Sequence, residues 1–303
     1  MKSFGLIGVA GYIAPRHLRA IRDTGNNLIW AVDPCDSVGI LDQFFPKADY
    51  FHNRQDLGAY LHHGTSHSSL ITHHSSPAYV SICSPNYLHE EHIRWALEQG
   101  TQVICEKPLV TSLEQLDKIQ ELEKASGRNV NTIMQLRLHP VVQEIGRRRK
   151  EEGGRRKVVK LEYITARGRW YFKSWKGIEE LSGGIAMNIG IHLFDMVVHL
   201  FGPMKESRVS IYQPDRASGI LELEDADVEW FLSINEQDLP KPVRESGKQA
   251  FRNITVNGQP VEFTEGFTEL HTESYRQILA GRGFDTTAVR ESLRVVEEIR
   301  RKR

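Results

Sequence analysis

A chain of 303 residues with 40% hydrophobic and 26% charged side chains has a globular composition, which excludes disordered and fibrous architectures. Its 39 Lys and Arg are balanced by 39 Asp and Glu, so it lacks the basic excess of a protein built around a polyanion, and nucleic acid is not an expected partner. At about 150 residues per domain, the length predicts two domains or one large α/β unit; the change of pattern along the chain favours two, placed at 1–137 and 138–303.

The opening MKSFGLIGVAGYIAP lacks the charged and long apolar regions of a secretory signal. The most apolar stretch, 185–201, carries Asn188, His192, Asp195 and His199. Lipid would penalise those groups, so no membrane span is expected. Cys35, Cys83 and Cys105 are odd in number and lack CxxC spacing, which points to reduced thiols and a cytoplasmic protein.

Residues 2–7 read as a short apolar strand entering a glycine-bearing turn. Pro15 marks a helix start, Leu18 and Ile21 follow at i,i+3, and Gly25 is the stop. Residues 28–32 form the next strand, ending at Asp33. Strand, turn, helix, strand and acid in this order open a dinucleotide-binding βαβ unit. The turn, Gly8-Val9-Ala10-Gly11-Tyr12-Ile13-Ala14, is a variant of the glycine fingerprint. Gly8 permits the tight bend, and small Ala10 and Gly11 let backbone N–H groups approach a pyrophosphate at the helix N-terminus. Ala10 and Ile13 stand where GxGxxG has its second and third glycines. A carboxylate at Asp33 suits ribose hydroxyls and repels a 2′-phosphate, so NAD is expected over NADP.

From 36 to 77 the pattern weakens. The stretch 62–74, with His62, His63, His67, His73 and His74, reads as a solvated loop or the end of a short helix with a tail; it lacks zinc-ligand spacing, and no metal is expected. Order returns with a strand at 78–83, a helix carrying Ile93, Ala96 and Leu97 before Gly100, and a strand at 102–105. Ser112 and Gln115 are spaced as a capping box for a helix with Leu113, Leu116, Ile119 and Leu122, stopped by Gly127, and a sixth strand covers 129–136. This alternation builds a doubly wound parallel sheet, an α/β domain. The segments Ser84-Pro85-Asn86-Tyr87-Leu88-His89 and Cys105-Glu106-Lys107-Pro108 each follow a strand directly. Open parallel sheets bind ligands at that end, so Lys107 is presented at the crevice.

The second half reads as an α+β domain with a broad, mostly antiparallel sheet. Val159, Leu161, Tyr163 and Thr165 alternate, further strands lie at 209–212, 220–223 and 228–233, and Asn257-Gly258 signals a hairpin between 254–256 and 261–263. Helices are expected at 268–280 and 287–300. The basic runs 147–150 and 155–157, around EEGG, read as a solvated helix end and turn. Across 183–201, Met187, Ile191, Phe194, Val198 and Phe201 form a buried helical stripe. Asn188, His192, Asp195 and His199 form a second stripe of groups that trade protons. Imidazole, with an unperturbed pKa of ~6.5, accepts a proton near neutral pH, so this stripe holds groups able to exchange protons there. A satisfied core histidine, or a metal set of His192, Asp195 and His199, fits the same spacing.

Taken together, the Gly8 to Ala14 turn with His17, SPNYLH, CEKPL, Asn188-x-Gly190-x-His192-x-x-Asp195 and the terminal LAGRGF and SLRVVEEI resemble the glucose–fructose oxidoreductase/inositol dehydrogenase (Gfo/Idh/MocA) family of NAD(P)-dependent sugar oxidoreductases. The resemblance covers essentially the whole chain, although the Gly8–Gly11 loop departs from the commonest family pattern. It implies a Rossmann first domain, a second domain for substrate binding and oligomerisation, and Lys107 and His192 as the catalytic pair with Asp195 beside them. It further implies cofactor contacts from Gly8, Ala10, Gly11, Tyr12, Ile13, Asp33, Ser84, Asn86, His89, Glu106, Lys107 and Gln135.

The segments 134–140, 163–177, 230–234, 254–258 and 262–271 are similar to a bacterial subgroup that oxidises the C3 hydroxyl of UDP-2-acetamido-2-deoxyglucuronic acid (UDP-GlcNAcA). That similarity implies a UDP-sugar acid as partner, a 3-keto product passed to an aminotransferase in surface polysaccharide (O-antigen) synthesis, and a homotetramer. The residues fit such a substrate, because a pyrophosphate and a carboxylate need fixed cations and a uracil or sugar can stack on rings. Arg137, Arg167, Arg169, Lys173 and Lys176 gather in sequence around Trp170, Tyr171 and Trp175. The expected substrate contacts are Lys107, Arg137, Arg167, Trp175, Lys176, Asn188 and His192. Two alternatives are a family dehydrogenase for a neutral sugar or inositol, and a non-catalytic NAD-binding regulator, which has no chemical need of Lys107 and His192.

Overall fold

In the computed structural model, which describes residues 1–62, 76–151, 155–261 and 269–302, the strands gather into two six-stranded sheets. The first contains β1 (Ser3–Ile7), β2 (Asn27–Val32), β3 (Asp49–Phe51), β4 (Tyr79–Ile82), β5 (Gln102–Cys105) and β6 (Val130–Thr132), in the order 3-2-1-4-5-6. All its pairs are parallel. The strands read as continuous apolar runs because helices cover both faces: α1 (Ala14–Asp23), α2 (Ile40–Phe44), α3 (Arg54–His62), α4 (His89–Glu98) and α5 (Leu113–Ser126) link them. The chain reverses direction across the sheet between β1 and β4, the topological switch point of a doubly wound fold, where ligands bind at the strand ends.

The second sheet contains β7 (Lys157–Thr165), β8 (Met204–Tyr212), β9 (Arg216–Leu223), β10 (Ala226–Ser233), β11 (Ala250–Val256) and β12 (Gln259–Pro260), in the order 12-11-7-10-9-8. It is antiparallel except where β10 runs parallel to β7. Asn257 (φ 51°) and Gly258 (φ 75°) turn the β11–β12 hairpin, both in the left-handed conformation that a two-residue primed turn requires. The remaining helices are α6 (Pro140–Glu151), α7 (Glu179–Ser182), α8 (Ile191–Phe201), α9 (Lys241–Glu245), α10 (Leu270–Leu279) and α11 (Arg290–Arg301). The stretch Glu179–Phe201 is long and apolar enough to cross a membrane by length and composition, and 78% of its most apolar window is buried in the protein. Its apolarity is accounted for by packing: Phe194 stands edge-on to Trp230 of β10 with ring centroids 5.3 Å apart.

Several expectations are corrected. The weak region between 36 and 77 contains α2, β3 and α3, all short and of mixed polarity. Of the histidine-rich stretch 62–74, His62 ends α3 and the rest lies outside the described residues. The sixth strand is shorter than 129–136, because the chain turns into a 3-10 helix at Gln135–Leu138. The return strand of the hairpin is Gln259–Pro260; residues 262–268, which include most of the 262–271 segment, lie outside the described residues.

Two compact units emerge, and neither is continuous in sequence. One comprises 1–109, 115–133 and 271–286; the other comprises 110–114, 134–270 and 287–303. Compared with the consecutive blocks 1–137 and 138–303, residues 271–286 lie in the first unit, and 110–114 and 134–137 in the second. Burial gives the reason. Tyr275 and Ile278 of α10 pack in one core with Phe4, Leu6, Leu18 and Ile21, and the Thr132 N–H donates to Phe284 O (2.8 Å) beside β6. The segment thus completes the first sheet's hydrophobic cluster and its edge.

Candidate functional site

In the first unit the glycine turn is built around close backbone packing. Gly8 has φ +92°, and a Cβ there would lie 2.7 Å from Cys83 C and Ser84 N, so only glycine fits. The turn is tied to the end of β2 by Asp33, 8% exposed: its Oδ2 accepts the Ala10 N–H (3.0 Å) and its Oδ1 the Cys35 N–H (2.9 Å). Gly11 N–H donates to Gly8 O (3.1 Å), Tyr12 is 87% exposed on the turn, and Ile13 packs against the first unit's core. The first N–H groups of α1 have no side-chain cap, and no acid lies in the first turn. The backbone N–H groups of Ala14 and Arg16 donate to Gly11 O (3.1 Å) and Ile13 O (3.0 Å), so what the helix start offers a pyrophosphate is its positive dipole end with no acidic side chain against it, which suits a dinucleotide.

At the ends of β4 and β5 the two expected motifs are joined. The buried His89 ring approaches Pro108 O with Nδ1 (2.7 Å) and Ser84 O with Nε2 (2.8 Å). Burial lowers its pKa below 6.5 against the pull of those carbonyls, which only the protonated ring satisfies together. Ser84 Oγ lies 2.8 Å from His92 Nδ1, and burial first, then the Arg54 and His89 charges, bring His92 down to about 4. Asn86 is buried in a 3-10 turn beside them.

Glu106, 5% exposed, accepts at Oε1 from the Nε2–H groups of His17 and His271, each 2.9 Å away. Burial alone would raise its carboxyl, but the two imidazole donors outweigh it and hold the pKa well below the ordinary value. Burial keeps His17 neutral by lowering its pKa. Burial also pushes the neighbouring Cys83 and Cys105 thiols up, leaving them unreactive. His17, Glu106 and His271 offer ligand atoms within 4.8 Å of one another, a set able to hold a metal ion that the sequence did not reveal. Lys107 is half-buried, its peptide to Pro108 is cis, and its own N–H donates to Glu106 Oε2 (3.2 Å).

In the second unit the helix carrying His192 does not begin as an α-helix. Ala186–Gly190 is a π turn running into α8, a local widening often found at functional sites. A Cβ at Gly190 would lie 2.6 Å from Leu232 Cδ1 and 2.7 Å from Phe194 Cε2, so any larger residue there must displace these packed side chains. Asn188 Nδ2 donates to Tyr171 Oη (2.7 Å). The half-buried His192 ring meets Tyr163 edge-on at 5.7 Å, and the Arg252 guanidinium lies 4.8 Å over the other ring.

The structure separates the polar stripe. His199 is exposed, whereas Asp195 is 1% exposed and accepts a bidentate pair from Arg137, Nε to Oδ2 (2.8 Å) and Nη2 to Oδ1 (2.6 Å). Arg137 also donates to Ala288 O (2.8 Å). The expected catalytic acid and the expected substrate arginine are thus partners in one buried ion pair. Gln135 Oε1 is buried without a hydrogen-bond partner among the described residues, an acceptor suited to a polar ligand group. Lys176 Nζ lies over Trp170 (5.5 Å) and Trp175 (5.7 Å), and Lys176 borders a cavity of about 190 Å³ with Tyr171, Glu179 and Tyr212. Arg167, Arg169 and Lys173 are exposed.

His271, Tyr275, Tyr163 and Arg252 were not singled out by sequence reasoning as site residues. Within the first unit His271 and Tyr275 reach Glu106 and His17, and within the second Tyr163 reaches His192 and Arg252 reaches Tyr163, all through tertiary packing for which local spacing carries no signal.

Comparison with known proteins gives a consistent answer. Residues 2–133 match the Gfo/Idh/MocA oxidoreductase family's NAD-binding Rossmann fold, and residues 151–237 match its C-terminal alpha/beta domain. The chain is 45% identical to the WlbA (WbpB) dehydrogenase of Thermus thermophilus, with a TM-score of 0.91 over 99% of this chain and 95% of that one. That enzyme was crystallised with NAD and UDP-GlcNAcA, and separately with NAD and alpha-ketoglutarate. WlbA of Bordetella pertussis, at 20% identity and a TM-score of 0.78 over 99% of this chain and 94% of that one, shares the fold. Among curated relatives, D-glucoside 3-dehydrogenase of Escherichia coli is 30% identical over 42% of this chain, and the match spans 36% of that relative's length. For the scyllo-inositol 2-dehydrogenase (NADP(+)) IolU of Bacillus subtilis, at 26% identity over 60% of this chain, the match spans 59% of that relative.

Proposed function

Because the chain belongs to the Gfo/Idh/MocA oxidoreductase family, we propose that it is a sugar-nucleotide dehydrogenase that uses NAD to oxidise the C3 hydroxyl of UDP-GlcNAcA to the 3-keto sugar. The observation that carries this reading is the 45% identity, over 95% of its length, to the Thermus thermophilus enzyme crystallised with both compounds. The glycine turn, the acid-free start of α1, Asp33 and the orphaned Gln135 Oε1 are the groups suited to NAD. Ser84, Asn86, His89 and Glu106 support the wall from which Lys107 projects.

NAD, when bound, accepts the hydride from the sugar C3. His192 takes the proton of the C3 hydroxyl, a task that suits an imidazole near neutral pH. Lys107 donates a hydrogen bond to the same oxygen and stabilises the charge it gains. The Arg137–Asp195 pair fixes α8 behind His192 and so acts on the reaction through position. Arg167, Trp175, Lys176 and Asn188 serve the nucleotide sugar, the cations for its anionic groups and the ring for stacking. The protein works as a cytoplasmic homotetramer, and its product feeds an aminotransferase in O-antigen synthesis.

The purified protein with NAD and UDP-GlcNAcA is expected to raise the absorbance of reduced nicotinamide. UDP-N-acetylglucosamine, which lacks the carboxylate, is expected to bind more weakly by about 1–3 kcal/mol, the cost of leaving a polar partner unmatched. Equal binding of the two by calorimetry, or turnover only with neutral polyols, would remove the sugar-acid reading.

A further inference from the structure

Four segments of the first unit join in one buried hydrogen-bonded chain that ends on a carboxylate: α1 through His17, β4 through Ser81, the end of β5 through Glu106, and α10 through His271 and Tyr275. All five side chains are buried. Their contacts form an ordered chain, Ser81 Oγ to Tyr275 Oη (2.6 Å), Tyr275 Oη to His17 Nδ1 (2.8 Å), and His17 Nε2 to Glu106 Oε1 (2.9 Å), with His271 Nε2 on the same oxygen (2.9 Å). A carboxylate only accepts, and burial keeps His17 neutral, which together fix the direction of every proton. His17 and His271 donate from Nε2, His17 Nδ1 accepts from the Tyr275 hydroxyl, and that hydroxyl accepts from Ser81. Oε2 is left for the Lys107 N–H, at 3.2 Å.

We propose that Glu106, gripped by His17 and His271, is the positioning residue for Lys107, fixing the backbone from which the lysine leaves β5 and coupling that turn to α1. The inference rests on the reading of Lys107 as a catalytic residue. It explains why the site holds a carboxylate and two imidazoles. One oxygen must take two N–H donors from helices remote in sequence while the other takes a third from the adjacent peptide. A glutamine of the same size keeps only one accepting oxygen. Turned to serve the imidazoles, it presents its NH2 group to the Lys107 N–H, donor against donor.

The substitution Glu106→Gln therefore isolates the contact. In the full-length protein without substrate, the Lys107 amide is expected to exchange its hydrogen about 2- to 10-fold faster than in wild type, the value of one lost hydrogen bond. Amides of β1 and α1 are expected to keep their rates. With substrate, kcat is expected to fall about 10- to 100-fold, the effect of a misplaced catalytic group, with NAD affinity changed much less. His271→Gln, which keeps a side-chain N–H donor, is expected to retain most of the rate that His271→Leu loses. A folded Glu106→Gln protein with wild-type Lys107 exchange and wild-type kcat would overturn the proposal. So would a His271→Leu protein as active as wild type, a result that stays readable if the glutamine variant does not fold. The exchange measurement needs no substrate, so a failure of the UDP-sugar reading leaves it standing and is distinguished from a failure of this one.

Discussion

Glu106 in the first unit and Asp195 in the second are both buried carboxylates close in sequence to a proposed catalytic side chain, yet they are held by opposite chemistry. Glu106 is held by two imidazole N–H donors on one oxygen, while Asp195 takes a guanidinium on both. The arginine cancels the charge of its partner, so that pair depends on both members being present. The histidine arrangement instead leaves a buried negative charge held by hydrogen bonds, one of them from His17, which burial keeps neutral. Truncation is the threat to the second unit, and acid is the threat to the first.

The largest expected effect follows from breaking the ion pair. Asp195→Ala leaves the Arg137 guanidinium buried beside an apolar gap, at an expected cost of about 3–5 kcal/mol in urea unfolding. Replacing both members by apolar residues of similar volume is expected to recover most of that loss. Recovery is the sharper half of the comparison, because a double variant as unstable as the single one would mean the carboxylate has a further role.

Acid should act on the first unit. Folded His17 and His92 have pKa values below the ordinary 6.5, His92 at about 4, both chiefly through burial. Below pH 6.5 the unfolded chain binds protons that the folded one refuses, so stability is complete above 6.5 and declines as the pH falls toward 4. For His92 alone the loss amounts to about 3 kcal/mol by pH 4. Chemical denaturation across pH 4–7 checks this, and His92→Gln is expected to flatten the curve. An unchanged slope in that variant would place the acid sensitivity elsewhere.

A smaller effect is expected at Gly190. An added methyl meets Leu232 and Phe194 at under 3 Å, so Gly190→Ala forces α8 away from the sheet at about 1–3 kcal/mol. A thermal midpoint equal to wild type would show that the helix relaxes freely there, and the glycine would then need another explanation.

Much of the first unit was legible because its chemistry is local. The turn after β1, the acid closing β2, and the motifs after β4 and β5 all lie at strand ends, which apolar runs and glycine stops reveal. The Asn257-Gly258 hairpin was legible for the same reason. Short, mixed-polarity α2, β3 and α3 gave too little periodicity to be seen. The assignment of 271–286 to the first unit was hidden because it depends on where Tyr275 and Ile278 find a core. The polar stripe of α8 was read from spacing alone, and spacing could not show that Asp195 belongs to Arg137, 58 positions earlier. His17 was visible as part of a motif, but its partner Glu106 lies 89 positions later, and His271, which shares that carboxylate, lies 165 positions beyond Glu106.

The proposed action of Lys107 and His192 on one hydroxyl is tested most directly by single-turnover hydride transfer in the two alanine variants and their double. Each single variant is expected to slow the chemical step by about 10²–10⁴-fold, with NAD affinity little changed. The double variant is expected to be less than additive, since both groups serve the same oxygen. A His192→Ala protein that transfers hydride at a near-normal rate would mean that the imidazole is structural and that the base lies elsewhere.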